Sequence, residues 1–554
     1  MERVNQTLAT VLTQLPGFSS GGGLYDGDDN AISAATMHVS PICPTAVPSV
    51  TVASASSHDL VADNRQLMNP MSDVDVFLAD AGLPSSIMLE GLCHTFFDCV
   101  YPWLPLFQKP DHIEHMLCRE KALLLHGLVV VAHRFRKDDA EHGQAIPESA
   151  ISASRTRVLQ EAVDTCTLVS TQALVLLAVD TLGTGTGPRA WNILSMLVAS
   201  VRHLNITKAS TALVRNEDRD DDPGATSHER EDKKRLFWSI VMLDRFCSTQ
   251  HGQAGGIQSI PEWILPPTPD IAPVSNSDTS EDWLQSTTRG DDQIRKGDNI
   301  WQHYIELLDT MNDTNQLLIQ PVDLMSRQNC QQWQDNFRAL DNRITAWNDA
   351  LPTHICDSQD IMALIMRATY HLLKIRMFTV AAFPSATTPY MKPSSSARAS
   401  CLNSVADMAI LSSTMTSHQM LRLGPLYAFI VWVATRSLVI IRCTKVDNSI
   451  AHTDGNLALL MDCLQQMSQY WPCAKRYMDL VHMMTDVGNS PGGQQEVDAF
   501  VDTRKTTYGL ERRLHMLKDR QVNGVAPHVF DFLDMPLPDL GDLPDFWVNS
   551  DALP

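Results

Sequence analysis

The stretch Lys233–Ser248 reads KKRLFWSIVMLDRFCS. From Leu236 to Cys247 it is apolar at almost every position, so no single face is set aside for water. A helix apolar all round belongs at the centre of its domain. Asp244 and Arg245 fall inside this run, and each is therefore expected to meet an opposite charge or a helix end. The bland reading of the run is a core helix holding one buried charge pair, and the functional reading is a site for an inducer or partner. The basic trio Lys233, Lys234 and Arg235 also matches short nuclear-import signals, which recur by chance.

Outward from this run the helical period persists. N-terminal to it, Ala190, Leu194, Leu197, Val201 and Leu204 step by four, three, four and three, one apolar stripe of a packed helix. Pro188 suits the first turn of that helix. A preceding helix, Thr167–Leu182, is closed by Gly183, Gly185 and Gly187. Earlier still, Leu89, Leu92, Phe96 and Phe97 recur at spacings of three and four until Pro102 and Pro105 break the chain. C-terminal to the run, a polar loop over Pro266–Gly297 leads to helices predicted at Trp301–Leu318, Cys330–Leu351, Asp360–Phe383, Ala399–Ser417, Pro425–Cys443 and Gly455–Trp471. No regular alternation with tight hairpin turns is present. The expected fold class is all-α: a large multi-helix domain over residues 76–485, for which stacked helical pairs are one architecture. It follows a low-complexity Gly/Ser/Thr/Ala/Pro segment, 1–75, too poor in buriable surface to order itself. It precedes a linker and acidic tail, 486–554.

Composition narrows the function. The chain has 554 residues, is 44% hydrophobic and 19% charged, and carries a formal net charge of −21. Grip on nucleic acid needs Lys and Arg against phosphates, so this balance argues against direct DNA binding by the residues present. Leu426–Cys443 is the most apolar run, but Arg436 interrupts it, and no membrane partner is expected. The 12 cysteines are scattered with no C-x-x-C pair, unlike structural zinc sites. They read as reduced core thiols of an intracellular protein. Asp218, Asp220, Asp221 and Asp222 resemble the aspartate-rich magnesium motifs of helical terpene synthases. They sit beside Pro223 and Gly224 in a loop without a second metal motif, so a solvated acidic loop is the simpler reading. No H-E-x-x-H, G-x-S-x-G or phosphate-binding glycine loop occurs, and no enzyme is expected.

Three segments in order resemble the fungal-specific transcription factor domain, the middle homology region of the fungal zinc-cluster regulators. They are His94–Pro110 (HTFFDCVYPWLPLFQKP), Gln172–Asn205 with Gln172, Ala173, Leu174, Gly183, Gly187, Ala190, Trp191 and Leu204, and the run quoted first. The last is the most specific, matching at Arg235, Leu236, Phe237, Trp238, Ser239, Leu243, Asp244 and Arg245. The resemblance spans roughly residues 85–445. It implies a helical regulatory domain of a nuclear transcription regulator, many relatives of which control metabolic or biosynthetic gene sets, secondary metabolism included. The family's six-cysteine zinc cluster has no counterpart here: only Cys43 precedes Cys93. No cofactor is therefore expected in this chain. DNA would be reached indirectly, through a DNA-binding zinc-cluster partner or self-association, or through a missing N-terminal segment. Two alternatives stand beside this reading: a helical magnesium-dependent enzyme, and a non-DNA-binding corepressor of a zinc-cluster partner.

The C-terminus has its own character. From Val529 it reads VFDFLDMPLPDLGDLPDFWVNSDALP, with aspartates alternating with apolar residues and no basic residue. Charge repulsion keeps such a segment extended. Phe530, Phe532, Leu533, Leu537, Phe546 and Trp547 are the residues expected to insert into a transcription coactivator, with the aspartates meeting its basic rim. The bland reading is a tail that docks on its own domain.

Overall fold

The computed structural model describes residues 73–136, 146–185, 187–206, 227–258, 260, 266–267, 299–384, 389–444, 450–489, 504 and 507–523. Residues 1–72 of the N-terminal low-complexity segment, the aspartate run 218–222, most of the polar loop before residue 299 and the tail 529–554 lie outside them; residues 73–75, read as part of that segment, instead open the first helix.

The described residues form seventeen α-helices, three short 3-10 turns and no strand, so the all-α class holds. In chain order the helices are α1 (Asp73–Ala81), α2 (Ser86–Cys99), α3 (Ala122–Ala132), α4 (Glu148–Asp164), α5 (Leu168–Thr184), α6 (Pro188–His203), α7 (Ser227–His251), α8 (Ile300–Ile319), α9 (Arg327–Asp349), α10 (Thr353–Cys356), α11 (Ile361–Ala382), α12 (Ser395–Ser413), α13 (Ser417–Leu421), α14 (Pro425–Cys443), α15 (Ile450–Met467), α16 (Pro472–Asn489) and α17 (Thr507–Asn523). Local chemistry fixes several starts. The Thr167 hydroxyl accepts the Ser170 amide at 3.1 Å ahead of α5, closing a capping box. Asn299, Ser326 and Ser394 each accept a first-turn amide through the side chain, capping α8, α9 and α12. Pro188 and Pro425 occupy first turns, where the lost amide costs nothing.

Two groups of helices share one hydrophobic core. In the first, α3 packs on α2, α4 and α5, and α5 packs on α6; in the second, α11 packs on α8, α12 and α14, and α15 and α16 pack on α14. Helix α7 joins them, contacting α5 and α6 on one side and α8 on the other, while α16 closes back on α5. Helix α14 has the length and apolarity of a membrane span, yet 94% of its most apolar window is buried inside the fold. It is a core helix, and Arg436 is buried with it.

Sequence and structure differ at boundaries and in what fills the gaps. The predicted Ala399–Ser417 helix runs instead over Ser395–Ser413, with the separate turn α13 after it. The predicted Gly455–Trp471 helix starts and ends earlier, at Ile450–Met467, because Trp471 turns into the core ahead of Pro472. Helix α17 lies within the stretch read as linker and tail, and its Leu510 and Leu514 are buried in the common core.

Candidate functional site

The run that decides the fold is the inner part of α7, and all eight of its singled-out residues, Arg235, Leu236, Phe237, Trp238, Ser239, Leu243, Asp244 and Arg245, are buried. The helix begins well before the apolar stretch. Its first turns are polar and tied by charge pairs one turn apart, Lys233 to Glu229 at 2.8 Å and Arg235 to Glu231 at 3.3 Å.

The N-terminal half of α7 receives the Pro-rich segment 100–110. The Arg235 guanidinium donates to the Tyr101 hydroxyl at 2.8 Å, and that hydroxyl donates to the Phe107 carbonyl at 2.9 Å. The Asp232 carboxylate accepts the Gln108 amide at 2.8 Å, and the Gln108 side chain donates to the His228 carbonyl at 2.9 Å. Burial raises the Asp232 carboxyl above its usual range, and the Gln108 amide works against that rise. Behind this seam Phe96, Phe97, Tyr101 and Phe107 form a ring cluster with centroids 5.2–6.4 Å apart. Two of the three segments singled out in the sequence therefore meet through hydrogen bonds between residues 120 or more positions apart.

The LDR end of the run builds a different feature. Asp244 accepts the amides of Gly256 at 2.8 Å and Ile257 at 3.2 Å, and also Nη1 of Arg245 at 2.9 Å. The carboxylate thus pins the loop that leaves α7 back against the helix. A Cβ on Gly255 would lie 2.6 Å from that Nη1 and 2.8 Å from the carboxylate, so only glycine allows the loop to come this close. Arg245 is completely buried, and its Nε and Nη2 have no hydrogen-bond acceptor among the described residues. Burial lowers its guanidinium below the ordinary range, while Asp244, Asp309 and Asp313 favour its charge. The expected opposite charge was present but local: the two adjacent residues pair with each other, then with backbone amides.

The second segment, Gln172–Asn205, forms α5 and α6. Gly183 is needed because a Cβ there would fall 2.3 Å from the indole of Trp471. Trp471 donates through Nε1 to the Leu423 carbonyl at 2.9 Å and stacks edge-on against Phe135. On the same helix Asp180 is buried between Arg134 and Arg155, with Arg134 Nε at 3.0 Å and Arg155 Nε at 2.9 Å. Trp191 of α6 meets His251, the last residue of α7, edge to face with centroids 4.6 Å apart. Burial pushes the His251 imidazole down to about 3. Beside that end of α7 lies a cavity of about 20 Å³ between Thr249, Gln250, Arg376, Trp432, Arg436 and Thr507, room for about one water.

Sequence reasoning missed the partners rather than the run: Tyr101, Gln108, Glu231 and Asp232 around Arg235, and the 255–257 loop around Asp244. The Gly255–Gly256 pair directly after the helix was the available signal. Among the described residues no group of three or more His, Cys, Asp or Glu is placed to hold a metal ion. Eight of the described cysteines are buried, and burial pushes Cys93, Cys99, Cys463 and Cys473 up to about 12. Such thiols stay protonated and inert. The tail residues Phe530, Phe532, Leu533, Leu537, Phe546 and Trp547 lie outside the described residues.

Residues 93–349 match the fungal specific transcription factor domain. The match runs from α2 to the end of α9 and stops short of the residue 445 to which the resemblance was read. A curated protein of Schizosaccharomyces pombe, named "Uncharacterized transcriptional regulatory protein C1327.01c", is 25% identical over 231 residues. That alignment covers 38% of this chain and 24% of the relative, so the shared stretch spans about a quarter of the relative's length.

Proposed function

We propose that this chain, which carries a fungal specific transcription factor domain over residues 93–349, is a nuclear transcription regulator acting through that helical domain and an acidic activating tail. The observation that carries the reading is the agreement of motif and position: the RLFWS…LDR run lies inside the matched region and sits at the junction of the two helix groups. The similar protein named for transcriptional regulation supports the same class.

In this reading the domain is a body for binding rather than catalysis, and no cofactor is needed. The tail 529–554 engages coactivators through Phe530, Phe532, Leu533, Leu537, Phe546 and Trp547. With a charge of −21 and no six-cysteine cluster among these residues, promoter choice falls to a DNA-binding zinc-cluster partner, to self-association, or to an N-terminal segment beyond this sequence. The genes controlled belong to a metabolic or biosynthetic set, by analogy with the family.

Fusing the chain to an unrelated DNA-binding domain tests this. The expected result is reporter activation that falls when residues 529–554 are deleted. Activation unchanged by the deletion sinks the role given to the tail, and repression on tethering turns the reading to a corepressor.

A further inference from the structure

Among the described residues that line the cavity beside the end of α7, all but one belong to core helices. Thr249 comes from α7, Arg376 from α11, and Phe429, Trp432 and Arg436 from α14; the exception is Thr507, the first residue of α17. Thr507 is buried, and just before it the Arg504 carbonyl comes so near the end of α7 that a Cβ on Gly252 would lie 2.6 Å away. Gly252 has φ +65°, a region that glycine enters without strain. The start of α17 is thus seated on the cavity. The rest of the helix is held by the buried Leu510 and Leu514 and by its packing on α16 and α7. Lifting α17 removes one wall of the cavity and leaves the others standing.

The walls that stay have a definite chemistry. The Thr249 hydroxyl is buried and has no hydrogen-bond partner among the described residues, so one polar group there is left for a ligand. Trp432 lies flat on Tyr477, with centroids 5.4 Å and planes 9° apart, and Gln250 donates to the Tyr477 hydroxyl at 2.6 Å. That stack fixes the aromatic wall. Arg376 is engaged in its plane, donating through Nη1 to the Thr249 carbonyl at 2.7 Å. A guanidinium whose N–H groups are engaged still attracts an aromatic ring to its face. One hydroxyl among aromatic side chains and guanidinium groups suits a small uncharged aromatic molecule with a hydroxyl of its own. Size decides when it can enter. The closed cavity measures about 20 Å³, whereas an aromatic ring needs roughly 150 Å³. Such a ligand fits only after α17 has opened.

We propose that α17 is a lid over a binding site for a small uncharged phenol-like molecule at the end of α7, with the Thr249 hydroxyl as its hydrogen-bond partner. The ligand selects the open lid and makes that minor form the major one. This binding does not depend on the transcriptional role proposed above.

Hydrogen exchange of the full chain tests the lid, with phenol as the probe and cyclohexanol as its non-aromatic counterpart. At about ten times its dissociation constant for the open form, phenol multiplies the open population about tenfold. Amides of 507–523 are then expected to exchange about tenfold faster, while those of α7, α11 and α14 keep their rates and cyclohexanol changes nothing. Two variants loosen the lid by different means: Leu514→Ala removes a buried anchor, and Arg476→Ala breaks the ion pair to Glu511. In each, the apparent affinity for phenol in equilibrium dialysis should tighten by the factor by which α17 exchange rises without ligand. A ligand of the closed fold would bind neither variant more tightly. Thr249→Val keeps the shape of the site without its hydroxyl and should weaken phenol about fivefold. Exchange of α17 that phenol slows or leaves unchanged overturns the proposal. So does acceleration spread through the core, equal action by cyclohexanol, or binding undiminished in Thr249→Val.

Discussion

Asp244 and Arg245 are adjacent in sequence, buried together and paired at 2.9 Å. Removing one partner of such a pair leaves an uncompensated charge in the core, so Asp244→Ala is expected to cost about 3–5 kcal/mol in urea unfolding. It also frees the amides of Gly256 and Ile257. The double variant Asp244→Leu/Arg245→Met should cost much less than the two single losses combined, because no lone charge remains; additive losses would show that the pair is not the unit. His251 gives a pH signature. Its folded pKa, about 3, lies below the ordinary 6.5. Below pH 6.5 the unfolded chain therefore takes up a proton that the fold refuses, and stability falls as pH drops from 6.5 toward 3 by about 1.4 kcal/mol per pH unit. The raised carboxyls of Asp232 and Asp244 act the opposite way at the acid end, so the difference between wild type and His251→Gln isolates the term. Equal slopes would mean the imidazole is already protonated in the fold. At this scale the sequence told that Asp244 and Arg245 must be partnered, since the neighbours Leu243 and Phe246 leave no water for them. It did not tell with what, because backbone amides twelve and thirteen residues away carry no side-chain signature.

Helix identity was most legible where one face is plainly apolar or where all faces are. Pro425–Cys443 was bounded at both ends, the proline opening it and the apolar run filling it. Helix α4 was passed over because its only buried residues are Ile151, Ser154 and Val158, too sparse a stripe to read as a period. How the helices meet was not legible, and Gly183 shows why. In sequence it closes α5; in the fold it also makes the space for Trp471, which belongs to a turn almost three hundred residues later. Gly183→Ala keeps the helix and fills that space, so it is expected to destabilise by about 1–3 kcal/mol through displacement of the indole. Trp471→Ala leaves a hole between Phe135 and Leu423, with an expected loss of about 3–5 kcal/mol. Because both act on one contact, the double variant should lose little more than Trp471→Ala alone. Losses that simply add would place the effect of Gly183 in α5 itself.

Across the molecule the two helix groups are joined at α7 and closed again where α16 meets α5, and α17 adds a last layer on α16 and α7. That layer was invisible in the sequence because Leu510 and Leu514 are too few to make a stripe among Glu511, Arg512 and Arg513. Its attachment is slight: two buried leucines, a few neighbouring contacts and the Arg476–Glu511 ion pair, whose arginine is one third exposed. Two leucines contribute about 3–6 kcal/mol of burial, part of which is offset by ordering the helix, and a partly exposed ion pair adds about 1 kcal/mol or less. Helix α17 should therefore open without the rest, as a local unit of low stability. Hydrogen exchange is expected to show amides of 507–523 exchanging well ahead of those in α7, α11 and α14, with Arg476→Ala accelerating them further and leaving the core rates alone. If α17 exchanged only with global unfolding, it would be part of the same cooperative core.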